Sequence, residues 1–110
     1  IVSNHGGRQL DGSNSTISAL PGIAEAVGKN AEVWVDGGIR TGQDVLKAIA
    51  LGADATLIGR AYLYGLGALG ERGVTQALEI LHKELDMTMA LCGHRVINEV
   101  DRDIFSRCPF

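Results

Sequence analysis

His5 and Arg8 stand three residues apart across Gly6-Gly7, in the run Ser3-Asn4-His5-Gly6-Gly7-Arg8-Gln9-Leu10-Asp11 that follows apolar Ile1-Val2. An imidazole can take a proton near neutral pH. A guanidinium can hold a carboxylate through two parallel hydrogen bonds. Paired glycines let the backbone turn tightly and approach a ligand closely. The chemistry suggested is a base beside an anion clamp. Two further clusters carry a different signal, Asp36-Gly37-Gly38-Ile39-Arg40 and Gly59-Arg60. Their glycine amides are unobstructed, Arg40 and Arg60 bring charge, and helix N-termini just beyond both loops would add positive potential. Together they read as a phosphate grip.

The elements that must position these residues follow from periodicity. Ile1-Val2-Ser3 reads as the end of a buried strand, and Asp11 to Ser15 as a polar loop with Ser15 or Thr16 as helix cap. Ile17, Leu20, Ile23, Ala24 and Val27 keep helical spacing, with Pro21 expected in the first turn and Gly28 as the stop. Glu32 to Val35 reads as a strand in which Trp34 packs, ending at Asp36-Gly37-Gly38. Thr41 and Asp44 have the spacing of a capping box for a helix through Val45, Leu46, Ile49 and Ala50, closed by Gly52. Ala55 to Ile58 is a second buried strand. An apolar turn or short helix over Ala61–Leu66 and a Gly-rich break come next. A longer helix is expected over Val74–Leu91, with Leu78, Leu81, Leu85, Met89 and Cys92 on one stripe. Ile97 to Val100 and the Pro109-Phe110 tail are expected to be peripheral.

Strands apolar on both faces and alternating with helices imply a parallel sheet under helical cover. Each reactive cluster then falls at the C-terminal end of a strand, where (β/α) barrels build their sites and where the last two loops often hold phosphate. Three strands are too few to close a barrel, and as an open sheet they would leave apolar edges bare. The chain also begins at Ile1, inside an element, so it is expected to be part of a larger domain.

Composition narrows the partners. A net charge of −3 over 110 residues, with no Lys/Arg cluster, gives no footprint for nucleic acid or a membrane surface. No apolar run approaches the length of a membrane span, and no signal-peptide pattern is visible. Cys92 and Cys108 read as free thiols, and neither has metal-ligand spacing with His82 or His94. No metal is expected. His82 reads as a helix-surface residue, His94 as a loop residue, and Tyr62 and Tyr64 as packing residues.

The run Ser3 to Asp11 resembles the active-site signature of the FMN-dependent α-hydroxy acid oxidases and dehydrogenases, the family of glycolate oxidase, lactate dehydrogenases and mandelate dehydrogenase. Asp36 to Arg40 and Gly59-Arg60, joined by Lys47 to Ala53, are similar to its flavin phosphate segment, and Thr88 to Leu91 with Gly93 to its last helix. The resemblance implies an α/β fold, the C-terminal portion of a (β/α)8 TIM barrel with strands six to eight and their helices. Residues 1–110 would be the C-terminal part of one FMN-binding barrel domain, with no separate second domain. It implies FMN as cofactor and a small L-2-hydroxy acid as substrate. His5 would be the catalytic base and Arg8 the carboxylate clamp. Ser3, His5, Asp36, Gly37, Gly38, Ile39, Arg40, Gly59 and Arg60 would contact the cofactor, Ser3 near the ring and the two loops at the ribityl phosphate. The N-terminal part of the same barrel would be a partner, bringing a Lys near the flavin, substrate-binding Tyr residues and an Asp that orients the His. The chain alone is expected to be inactive. A homo-oligomer, tetrameric as is typical of the family, and a cytoplasmic location, membrane-associated if a quinone takes the electrons, also follow from the resemblance. Two other classes remain open: an inert barrel fragment, and another FMN- or phosphate-binding barrel such as an FMN-dependent isomerase. The latter would keep the Asp-Gly-Gly and Gly-Arg loops without needing His5 and Arg8 at this spacing.

Overall fold

The computed structural model describes residues 1–105, so Cys108 and Pro109-Phe110 lie outside the described residues. Helix α1 (Thr16–Val27) is followed by strand β1 (Trp34–Asp36), helix α2 (Gly42–Ala50), strand β2 (Ala55–Leu57), helices α3 (Arg60–Leu69) and α4 (Glu71–Leu91), and two 3₁₀ turns, Ile97–Glu99 and Arg102–Ile104. β1 and β2 are parallel, in the register Trp34–Ala55, Val35–Thr56, Asp36–Leu57. The α/β alternation with a parallel sheet is as the sequence pattern requires.

The first strand is shorter than expected. Only Val2 pairs, bridging in parallel to Val35 by donating its N–H to the Trp34 carbonyl (2.7 Å) and accepting from Asp36 N (2.8 Å). Val2 joins the core with Leu20, Val33, Val35, Ile39, Ala48 and Ala53. Ile1, expected to be buried, is 80% exposed, because successive strand side chains point to opposite faces. β2 is half-buried throughout, with β1 as its one strand neighbour among the described residues. Trp34 is also partly exposed, and its indole donates to Glu32 Oε2 at 3.0 Å rather than packing in the sheet.

The caps are local and follow the sequence closely. Ser15 accepts from Ser18 N at the start of α1, and Gly28 ends it with φ +56. Pro21 falls in the second turn, not the first, and the helix runs through it. The Thr41–Asp44 capping box of α2 forms as expected.

The junction of the last two helices differs more. The Gly-rich break is one residue, Gly70 at φ +60, which ends α3 and opens α4. Both helices therefore run about a turn longer than expected. Gly65 in α3 and Gly73 in α4 let this happen, since a Cβ on either would collide with the other's backbone. The expected α4 stripe is only partly used. Leu85 and Met89 pack beside the buried Leu46, Ala50 and Val100, whereas Leu78 is 51% exposed and Cys92 is exposed. Val100, expected at the periphery, is 8% exposed in that second cluster, and Ile104 and Phe105 pack there too. Burying Leu20, Leu46 and Val35 almost completely contributes roughly 1.5–3 kcal/mol each.

Candidate active site

A cavity of about 810 Å³ opens at the C-terminal ends of the strands, within the ~300–1,000 Å³ range of small-molecule sites. Its wall includes His5, Gly6 and Arg8 from the loop after Val2, Asp36 to Arg40 from the loop after β1, and Gly59 and Arg60 after β2. The three clusters, far apart in sequence, thus converge. Arg8, Arg40 and Arg60 line the cavity with one carboxylate, Asp36, so positive charge is in excess there although the chain is acidic overall.

The first loop is a chain of small turns. His5 N donates to Ser3 Oγ at 3.2 Å, Gly6 N to Asn4 Oδ1 at 3.0 Å, and Gly7 N to the Asn4 carbonyl at 2.9 Å. His5 takes φ +53, the one positive φ at a non-glycine among the described residues. Histidine tolerates that region better than most residues. Gly6 follows with φ +75, and the Arg60 guanidinium reaches toward it, 3.8 Å from where a Cβ would stand. The third cluster therefore extends across the cavity to the first.

Ser3 links two of these loops. It is not among the lining residues; its hydroxyl donates to Asp36 Oδ2 at 2.8 Å and accepts from His5 N. It ties the His5 loop to the end of β1.

The loop after β1 turns at Gly37 (φ +106) and Gly38 (φ +84). The buried Thr16 donates to the Gly37 carbonyl at 3.1 Å. Asp44 Oδ2 accepts from the backbone of both Arg40 and Thr41, each at 3.0 Å. The capping box of α2 therefore also fixes the arginine loop.

The two helix N-termini beside the cavity are not alike. At α2, Thr41 Oγ1 accepts from Asp44 N at 3.2 Å, and Glu84 of α4 accepts from Gly42 N at 2.8 Å. At α3, Gly59 is the N-cap, and among the described residues no side chain caps the first turn. The open N-terminus belongs to the helix that begins with Arg60.

An apolar wall completes the cavity, formed by Leu57, Ala61, Leu63, Tyr64, Ala77, Ile80 and Leu81. Tyr64, expected to pack, is 73% exposed. It stands four residues after Arg60, on the same face of α3, which is the spacing that could have revealed it. His82 is exposed on α4 and His94 half-buried after it, and neither lines the cavity. No group of three His, Cys, Asp or Glu among the described residues could hold a metal ion. None of their helices is long and apolar enough to cross a membrane.

The fold and cavity define an α/β protein that gathers three arginines and a histidine on one cavity at the strand ends. A profile of the FMN-dependent dehydrogenases matches residues 1–107, and the chain belongs to that family. It is 50% identical over 107 residues to an L-lactate dehydrogenase of Caulobacter sp. (strain K31), covering 97% of this chain and 28% of that protein. It is 50% identical over 109 residues to an L-lactate dehydrogenase of Vibrio parahaemolyticus, covering 99% and 29%. Among solved structures, a mandelate oxidase mutant with a monooxide FMN adduct superposes with a TM-score of 0.87 at 51% identity, covering 92% of this chain and 32% of that one. An (S)-mandelate dehydrogenase mutant gives 0.84 at 47% identity, covering 93% and 28%. The chain thus spans under a third of the length of these relatives.

Proposed function

We propose that this chain forms strands six to eight, with their helices, of a single (β/α)8 barrel domain, and supplies part of the active site of an FMN-dependent enzyme that oxidises a small L-2-hydroxy acid to the 2-keto acid. The observation that carries this reading is the meeting of His5 and Arg8 with Arg40, Gly59 and Arg60 on one cavity. The relatives named for L-lactate and mandelate chemistry support the substrate class.

The donor set fits FMN. Arg60 and the uncapped N-terminus of α3 suit a phosphate monoester, which is dianionic near neutral pH. Asp36, Gly37, Gly38, Ile39 and Arg40 would close around the same end. When bound, FMN supplies the two-electron acceptor. Arg8 would hold the substrate carboxylate, orienting the hydroxyl-bearing carbon; positioning of this kind is a large part of catalysis. The His5 imidazole would accept one proton from the substrate as its hydroxyl-bearing carbon becomes the keto carbon, the two electrons and the other hydrogen passing to the bound flavin. Ser3 would stand near the flavin ring while tying His5 to Asp36.

The remaining barrel strands would come from the N-terminal part of the same protein, so the 110-residue chain alone is inactive in this reading. Assembly into a homo-oligomer, and a cytoplasmic or quinone-linked, membrane-associated setting, complete the proposal. The test is His5→Ala in the full-length protein. It should bind FMN normally, while flavin reduction by substrate slows on the order of 10²–10⁴-fold. Rapid reduction of that variant sinks the role of His5.

A further inference from the structure

One side chain beside the cavity has no part in the proposed chemistry, yet it touches three segments at once. Asn4 is half-buried. Its Oδ1 accepts from Gly6 N at 3.0 Å, and its Nδ2 donates to the Asn14 carbonyl, at the entry to α1, at 3.1 Å. The same Oδ1 lies against the loop after β1, where a Cβ on Gly37 would stand 3.3 Å from it and 3.3 Å from Thr16 Oγ1. Asn4 and Thr16 therefore pinch Gly37 between them. His5 sits between the bonded Asn4 and Gly6 with φ +53, a conformation that persists only where the surroundings hold it.

We infer that Asn4 is a positioning residue for His5: its carboxamide holds the left-handed turn that presents the imidazole to the cavity and sets that turn against the Gly37 loop. This rests on the reading of His5 as the base. Without the carboxamide, Gly6 N and the Asn14 carbonyl lose their partner, and His5 is free to relax to negative φ. The imidazole then leaves the place where substrate is held, while the Arg40 loop keeps its support from Asp44.

The test uses the full-length, FMN-loaded protein and three readouts: flavin reduction by saturating L-lactate, KM, and hydrogen–deuterium exchange of the Gly6 and Gly7 amides. Asn4→Ala should slow reduction on the order of 10–100-fold, leave KM within about threefold of wild type, and speed exchange at both amides. Asn4→Ser keeps a hydroxyl that can accept from the amide two residues on, more weakly than Asn, and should recover part of the rate. Should Asn4→Ala fail to fold, Asn4→Ser carries the comparison, slower than wild type at unchanged KM. Wild-type reduction in Asn4→Ala, unchanged exchange, a loss confined to KM, or no recovery in Asn4→Ser overturns the role of Asn4 alone. A wild-type protein whose flavin no 2-hydroxy acid reduces overturns the functional reading, and the role of Asn4 with it.

Discussion

Two helices begin beside the same cavity, and the protein finishes one and leaves the other open. The first turn of α2 is closed by Thr41 and by Glu84, and Asp44 reaches back to the backbone of Thr41 and Arg40. Its positive end is neutralised by the chain's own carboxylates, so it contributes rigidity to the Arg40 loop rather than a place for an anion. The first turn of α3 has no side-chain cap, and the residue that opens it, Arg60, is a cation on the cavity. Orphan helix amides with a cation beside them are suited to phosphate. Two similar loop-to-helix sequences therefore end differently: α2 is closed by the chain's own side chains, and α3 is left uncapped beside Arg60.

The strongest way to break this contrast is to close α3 as α2 is closed. A Cβ at Gly59 meets nothing within 4 Å, so Gly59→Asp has room to place a capping carboxylate on the open turn. FMN affinity should fall on the order of 100-fold, the loss of a charge-assisted contact together with like-charge repulsion. Gly59→Ala, measured in the same titration, should lose far less. Equal losses in the two variants would assign the effect to bulk and undo the distinction between the helices.

The converse substitution sharpens it. Thr41→Ala removes the α2 cap and should cost about 1 kcal/mol of stability, read from denaturant unfolding. FMN affinity should change by less than about threefold, a few tenths of a kcal/mol. A large drop in FMN affinity from Thr41→Ala would show that α2, not α3, faces the phosphate.

How much of this was legible in the sequence follows the range of the interactions. The Thr41–Asp44 capping box and the Ser15 cap are contacts across three residues, so their spacing declares them. The reactive clusters were legible because each pairs a charged residue with glycines at a strand end. The part of Glu84 in closing α2 was not. Glu84 reaches Gly42 from 42 residues away, and no local pattern distinguishes it from a solvated acid on α4. The same holds for Gly65 against Gly73, which look like helix breaks until the two helices are seen to meet there. The bond from Ser3 to Asp36 was hidden for a related reason: its partner lies 33 residues further on. The apolar wall with Tyr64 needed tertiary packing to appear.

The central claim is that the cavity beside His5 and Arg8 is where a 2-hydroxy acid meets FMN. Its most direct test is anaerobic mixing of the FMN-loaded full-length protein with L-lactate, glycolate or mandelate, following the oxidised flavin absorbance. The account predicts rapid bleaching by at least one of them and none by propionate, which has the carboxylate for Arg8 but no hydroxyl for His5. A flavin that stays oxidised with all three acids, or that propionate bleaches as well, would contradict it.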